Sequence, residues 1–289
     1  MLIKNKKEYS YQDCWNYFFS RKEINHQEYS KYDLLSILQV SSNKFWLNFT
    51  EKSLSEKCYS KICKNINKYL DKSYPIPYLI NKVFFYGFFF CVKKGVFIPQ
   101  IDTEVLIEKT LEITNRCWKN RKKLRILDIG TGCGNIAISL AKNKPNWKFV
   151  ASDINKKALK VAKDNAEAHR LKNIEFVVSN LFDNIKGKFN IIISNPPYVN
   201  KDEYKDISSY VKQQPKISVV ARNNGYFFYR KIFDQAHLFL TKKFLLIVEI
   251  GYQQAEKIIK LVIKYFSQAK VSVYPDREGR LRVVAIYRL

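Results

Sequence analysis

Histidine and methionine are scarce in this chain of 289 residues, with three and one, and acidic residues are outnumbered 26 to 51 by basic ones. Two of the histidines, His169 and His237, stand isolated from other chemistry-bearing residues and read as surface or satisfied side chains with no catalytic role. The six cysteines (Cys14, Cys58, Cys63, Cys91, Cys117 and Cys133) form no CxxC pair and have no histidine at ligand spacing. Neither a zinc site nor a disulfide framework is therefore expected, no metal is called for, and reduced cytoplasm is the simplest setting. A membrane-length apolar segment is missing too. The opening MLIKNKKEYSYQ lacks the apolar centre of a signal peptide, and the longest apolar run, VFFYGFFFCV at 83–92, covers half a span and contains Gly87. Repeats and low-complexity tracts are absent. A soluble protein is expected, built as one large domain with an appendage or as two modest domains.

What is present in excess is positive charge, +25 in all. Such a charge attracts polyanions and makes ribosome, RNA or DNA candidate surroundings. The lysines are spread along the whole chain, however, alongside abundant Asn, Ile, Phe and Tyr, a pattern that codon drift in an AT-rich genome also produces.

Residues 1–73 carry apolar positions at helical spacing in CWNYFF, YDLLSILQV and LSEKCYSKICKNINKYL, which predicts a small all-α domain. Pro75 and Pro77 are expected to end helix formation. The aromatic and β-branched stretch that follows, with Gly87 and Gly95 as turn points, predicts a β-hairpin linker over 74–100. From 101 to 289, helical patterns alternate with short buried strands: LRILDIG, WKFVASD, IEFVVS, KFNIIIS and FLLIVEIG. Alternation of this kind specifies an α/β fold with a mostly parallel sheet covered on both faces. Two closing strands, KVSVYP and RLRVVAIYR, have no helix between them and predict an antiparallel strand at one edge.

Two stretches carry chemistry. ILDIGTGCGN sets Gly130, Thr131, Gly132, Cys133 and Gly134 between a strand and a helix, where glycine permits close backbone approach to a ligand. Three alternating glycines alone specify only a tight turn. Asp153, ending the next strand, adds a carboxylate suited to both hydroxyls of a ribose, and Asp128 precedes the turn where it could sit near a cationic group. The spacing is GxGxG rather than the GxGxxG of dinucleotide sites. An adenosine ligand with a positive centre and no pyrophosphate fits these residues, and S-adenosylmethionine has that shape.

The second stretch, Asn195-Pro196-Pro197-Tyr198, closes the fourth strand, at the sheet edge where open α/β folds bind substrates. The Asn195 side-chain oxygen and the Pro196 carbonyl are acceptors, and neither proline offers an amide hydrogen. A rigid, acceptor-rich turn suits a planar NH₂ group, with Tyr198 as a flat face to stack on. Holding both hydrogens would favour positive charge developing on that nitrogen as a methyl is transferred.

At these residues the chain resembles the peptide chain release factor glutamine methyltransferases, a family of class I S-adenosylmethionine enzymes. The likeness extends over nearly the whole chain, through PIPYLI at 75–80, FYGFFFCV, FIPQIDTEVLIE at 97–108, VEIGYQQ at 248–254 and DREGRLRVVAIYR at the end. It implies a Rossmann-like methyltransferase domain over 101–289, with 1–73 as a helical substrate-recognition domain. It implies methyl transfer to the amide nitrogen of the glutamine in the Gly-Gly-Gln loop of class I release factors, leaving S-adenosylhomocysteine. By resemblance, Asn195 and the Pro196 carbonyl hold the glutamine amide, with Pro197 and Tyr198 lining its pocket. Gly130 to Gly134 and Asp153 hold the donor, Asn180 and Leu181 flank its adenine, and Asn195 borders it. Direct nucleic-acid binding is not required, although the basic surface suits proximity to ribosomes.

Alternatives stay open at this level: a glutamine of a ribosomal protein, an exocyclic amine of rRNA or DNA, or a non-catalytic binder that retains the fold. DTE at 102–104 favours the release factor branch. Where the family commonly has Arg and Glu, this chain has Gln100 and Gln214, and these are expected to form a neutral replacement for an ion pair.

Overall fold

The computed structural model describes residues 7–20, 31–118 and 123–288. The first six residues of the opening stretch, and residues 21–30 of the expected helical domain, lie outside the described residues. The chain divides into two compact units, one reaching to Asn81 and including Ser208–Gln213, the other made of Lys82–Ile207 and the remainder from Gln214.

In the first unit a two-stranded pairing of β1 (Glu8–Tyr9) with β2 (Leu54–Ser55) accompanies α1 (Tyr11–Phe19), α2 (Lys31–Leu38), α3 (Ser42–Leu47), α4 (Glu56–Lys72) and α5 (Ile76–Ile80). Ser10 and Asp13 form a reciprocal capping box at the start of α1, which satisfies amides that the first turn leaves unpaired. The apolar faces of α1, α2 and α4 meet through Cys14, Phe18, Leu34, Ile37, Ile62 and Ile66, all buried. Helix α5 departs from the expectation that Pro75 and Pro77 end helix formation. Pro75 caps the helix and Pro77 sits in its first turn, where a missing amide hydrogen costs nothing because that hydrogen has no partner in the helix. The hairpin is accordingly shorter than 74–100: β3 (Lys82–Phe85) pairs antiparallel with β4 (Phe88–Cys91).

That hairpin belongs to the second unit, and side chains fasten it there. Buried Asn165 accepts from the Cys91 amide and donates to the carbonyls of Cys91 and Cys133. Asn155 donates to the Gly95 carbonyl. His169 Nε2 lies 2.9 Å from the Phe89 carbonyl, so this histidine is used in holding β4.

The second unit continues through α6 (Glu104–Cys117), β5 (Arg125–Ile129), α7 (Asn135–Asn143), β6 (Lys148–Asp153), α8 (Lys156–Ala168), β7 (Ile174–Val178) and β8 (Phe189–Ser194). After the short α9 (Ser209–Lys212), which groups with the first unit, come α10 (Phe227–Ala236), β9 (Leu240–Glu249), α11 (Ala255–Tyr265), β10 (Lys270–Pro275) and β11 (Leu281–Arg288). The seven-stranded sheet runs β10-β11-β9-β8-β5-β6-β7. Strands β7, β6, β5, β8 and β9 are parallel; β11 is the reversed strand, lying antiparallel to both β9 and the outermost β10. Central strands buried on both faces read as continuous apolar runs, as in Ile191–Ile193 and Leu245–Val248, all fully buried.

Register decides what reaches the carboxyl edge. Ile129 pairs with Ser152 on one side and Ser194 on the other, and Ser194 pairs with Val248. The next residue of each strand or loop is therefore Gly130, Asp153, Asn195 and Glu249, a row drawn from four parallel strands at the edge where such sheets bind ligands. Among the described residues, no helix is long and apolar enough to cross a membrane.

Candidate methyl-transfer site

The glycine turn is held by its own strand neighbours. The amides of Gly130 and Thr131 both donate to the Ser152 carbonyl, at 2.8 and 2.9 Å. All three glycines have positive φ, of 73°, 57° and 85°. They differ in surroundings. A Cβ on Gly130 or Gly132 would meet nothing within 4 Å, whereas one on Gly134 would lie 2.9 Å from Ile138 Cδ1 and 3.1 Å from Ala162 Cβ. Gly134 thus lets α7 and α8 pack, while Gly130 and Gly132 leave open space before the turn.

Asp153 borders that space. One of its oxygens accepts from the Gly132 amide at 2.9 Å and the other from Asn155 at 2.8 Å, so the carboxylate is oriented and keeps lone pairs for two more donors. Burial raises its pKa, opposed by these amide bonds. Asp128 is different. It is fully buried, takes the Thr131 hydroxyl at 2.7 Å, and has its second oxygen unpartnered. Burial pushes its pKa up to about 7, against the Thr131 hydroxyl and the Ala137 backbone amide, with Asp153 adding to the rise. In this enclosed position Asp128 braces the turn from behind. Cys133 is buried within the turn. Asn180 is exposed and donates to Asp183, and Leu181, with φ of 50°, packs against the main core.

On the acceptor side, Asn195 Nδ2 donates to Thr103 Oγ1 at 3.0 Å, and Thr103 in turn donates to Glu249 Oε2 at 2.6 Å. The other Glu249 oxygen faces the Tyr198 hydroxyl at 3.4 Å. Among the described residues, the Asn195 side-chain oxygen and the Pro196 carbonyl accept no hydrogen bond. Pro196 is buried, and Pro197 and Tyr198 are half-buried. Glu249 is enclosed, and burial lifts its pKa to about 7; Thr103, Arg282 and Tyr198 oppose the rise and Asp102 adds to it.

Asp102, Thr103 and Glu104, quoted above only as part of a likeness, each hold something different. Asp102 pairs with buried Arg282 at 3.2 Å, and Arg282 also binds Asp276. Thr103 links Asn195 to Glu249. Glu104 accepts from the Tyr86 amide at the hairpin turn and pairs with Arg277 at 2.9 Å. Beyond the turn, Tyr198 is fixed by its backbone: its carbonyl accepts from Gln254, and a Cβ on Gly225 would come within 2.3 Å of that carbonyl oxygen. Gly225, with φ of 87°, admits the close approach. Sequence reading missed Thr103, Gly225, Glu249 and Arg282. A buried acid ending a strand, Glu249 after LLIV, was the signal that could have been used.

Gln100 and Gln214 do not pair directly. Both bind the backbone of one residue, on its two flanking peptide units: Gln214 Oε1 accepts from the Ile98 amide at 2.9 Å, and Gln100 donates to the Ile98 carbonyl at 2.7 Å. The Gln214 Nε2 is buried without a partner.

A parallel sheet that delivers a glycine turn, an oriented acid and an Asn-Pro-Pro-Tyr turn to one edge defines a Rossmann-like methyltransferase domain. Residues 89–271 match the family model described as the methyltransferase small domain. The chain is 37% identical over 242 residues to the release factor glutamine methyltransferase of Lactococcus lactis, covering 83% of this chain and 87% of that one. It is 33% identical over 270 residues to the enzyme of that name from Buchnera aphidicola of Acyrthosiphon pisum, covering 91% and 94%. The chain belongs to the release factor glutamine methyltransferase family. Solved structures agree on the fold. The hMettl16 catalytic domain in complex with a 3′UTR hairpin superposes with a TM-score of 0.54 at 16% identity, covering 80% of this chain and 81% of that one. SMU.776 complexed with SAH gives 0.51 at 17%, covering 72% and 55%.

Proposed function

We propose that this protein transfers a methyl group from S-adenosylmethionine to the side-chain amide nitrogen of the glutamine in the Gly-Gly-Gln motif of class I peptide chain release factors. The observation that carries the reading is a pair of unmet acceptors on successive residues, Asn195 Oδ1 and the Pro196 carbonyl, in a chain of this family. Two acceptors match the two hydrogens of a primary amide. The open space before Gly130 and Gly132, with Asp153 oriented beside it, fits the donor. Asp153 would take the ribose hydroxyls, the glycine turn would approach the rest of the nucleoside, and Asn180 and Leu181 would flank the adenine. When bound, the donor supplies an electrophilic methyl on a sulfonium.

The chain's own residues do the rest. Asn195 and Pro196 accept both amide hydrogens, orient the nitrogen and favour the positive charge that develops on it, and Tyr198 with Pro197 lines the pocket. No strong base at the nitrogen is needed before transfer: as the N–CH₃ bond forms the S–CH₃ bond breaks, S-adenosylhomocysteine leaves as the neutral thioether, and the now acidic nitrogen releases its extra proton to solvent. Residues 1–73 are proposed as the substrate-recognition domain, 74–100 as the linker that contains the hairpin, and 101–289 as the catalytic domain, acting in the cytoplasm.

The +25 charge favours a second substrate class, an exocyclic amine of rRNA, with a ribosomal protein glutamine as the nearer rival. An open cleft of about 530 Å³ begins two residues beyond Tyr198 and is lined by Lys201, Lys216 and Arg222 along with Asp202. The test is methyl transfer to purified release factor, ribosomal protein and rRNA, by wild type and Asn195→Ala. Release factor is expected to be labelled, and the variant to lose roughly two or more orders of magnitude in rate. Preferential labelling of rRNA or ribosomal protein overturns the substrate, and equal labelling by the variant overturns the role of Asn195.

A further inference from the structure

Asn195 can serve as an acceptor only if its side-chain amide is turned the right way, because rotation by half a turn replaces Oδ1 with an NH₂ that repels the substrate amide. Nothing in the Asn-Pro-Pro-Tyr turn fixes that choice. The contact that does is with Thr103, on a different element, 92 residues away in sequence. A hydroxyl carries a single proton. At 2.6 Å from Glu249 Oε2, the Thr103 hydroxyl gives its proton to a carboxylate that can only accept, and its oxygen is left to receive. Asn195 must then present Nδ2 to Thr103 and Oδ1 to the other side.

We propose that Glu249 is a positioning residue for methyl transfer, acting through Thr103 to hold the Asn195 amide with its oxygen facing the substrate. The proposal rests on the role assigned to Asn195 above. Both relay members are 2% exposed, so water cannot substitute for either partner. The groups that face Glu249 come from every element around it: Asp102 and Thr103 before α6, Tyr198 after β8, and Arg282 on β11 with Asp276 behind it. From α10, the Tyr229 hydroxyl donates to the Glu249 backbone carbonyl at 2.9 Å, which fixes the main chain and leaves the carboxylate to the relay. A carboxylate here carries a desolvation cost that a purely structural acceptor would avoid, and its pKa of about 7 places the neutral form within reach of mild acid. Once neutral, the carboxyl can donate to Thr103 as well as accept, and the amide orientation is no longer dictated.

Two measurements test this. The first is the pH profile of kcat on release factor. Wild type should lose rate below about pH 7, while Glu249→Gln, which is isosteric and cannot ionise, should be slower at pH 8 and fall less steeply, keeping only the part that Asp128, also raised to about 7, contributes. Thr103→Val should lower kcat by up to about a hundredfold with donor affinity unchanged, and Thr103→Ser, which keeps the hydroxyl, should restore most of the rate. The second measurement uses the free protein. The Asn195 side-chain NH₂ signals in a ¹⁵N spectrum, assigned by their loss in Asn195→Asp, should move between pH 5.5 and 8 in wild type and stay fixed in Glu249→Gln. Thr103→Val with wild-type kcat, or Asn195 signals that titrate identically in wild type and Glu249→Gln, overturns the relay. If wild type leaves release factor unlabelled, the functional reading fails, and the side-chain signals, which need no substrate, still decide on the relay.

Discussion

The two halves of the site are built in opposite ways. The proposed donor side is contiguous: Asp128, the glycine turn and the start of α7 follow one another in the chain, and one further acid, Asp153, arrives from the neighbouring strand. The acceptor side is assembled from a distance. Asn195 and Tyr198 are oriented by Thr103, Glu249, Gly225 and Gln254, which lie on segments before and after them. A contiguous turn can be specified by backbone conformation alone, through glycines at positive φ. An acceptor of fixed orientation needs side chains that choose between its two faces, and these have to come from elsewhere in the fold.

The comparison can be broken at several points. The largest effect is expected behind the donor turn. Asp128 is raised to about 7 when folded but titrates near the ordinary carboxylate value when unfolded. The unfolded chain therefore releases this proton first, so the contribution is fully present below about pH 4 and is lost as pH rises towards 7. Glu249, likewise raised to about 7, acts in the same direction. Asp128→Asn should remove its share of the loss and flatten the fall in stability between pH 5 and pH 8 in the unliganded protein. Thermal melts of wild type and variant at pH 5 and pH 8 measure this. A variant whose melting temperature falls between pH 5 and 8 as steeply as wild type would refute the raised pKa of the enclosed Asp128.

Glycine substitutions separate the two turns more sharply. Gly225→Ala places a methyl within 2.3 Å of the Tyr198 carbonyl oxygen and should cost about 2–3 kcal/mol of stability, read by denaturant unfolding. Gly132→Ala meets no neighbour within the chain and should cost only about 1 kcal/mol of backbone strain, while weakening S-adenosylmethionine in a binding titration. Equal losses of stability would erase the distinction between a turn shaped for a ligand and one shaped for packing.

A smaller effect than at Gly225 is expected at Gln214. Gln214→Glu buries a carboxylate where, among the described residues, only the Ile98 amide meets it, and should destabilise by about 1–2 kcal/mol. Adding Gln100→Arg should recover at least part of the loss, because both side chains converge on the backbone of Ile98. Additive costs in the double-mutant cycle would mean that the two positions are uncoupled.

Much of the fold was legible in the sequence, because buried parallel strands and amphipathic helices leave periodic apolar patterns. The departures are local. Pro75 and Pro77 signal a helix end and a helix start equally well, since a first turn tolerates proline. The hairpin's attachment to the sheet runs through Asn155 and Asn165, polar residues whose helical spacing gives no hint of what they reach.

Residue patterns along the chain specify the order of strands and helices, the glycine turn with Asp153 after it, and an acceptor-rich turn at Asn195 and Pro196. Packing alone sets Thr103 between Asn195 and Glu249, partners 92 and 146 residues away from it in sequence. The same packing encloses Asp128 and brings Gln100 and Gln214 to opposite backbone groups of Ile98. The physical reason is the same in each case. Backbone conformation is written locally by residue type, whereas the direction of a hydrogen bond depends on which buried group stands opposite, and the packing of the sheet brings that group into place.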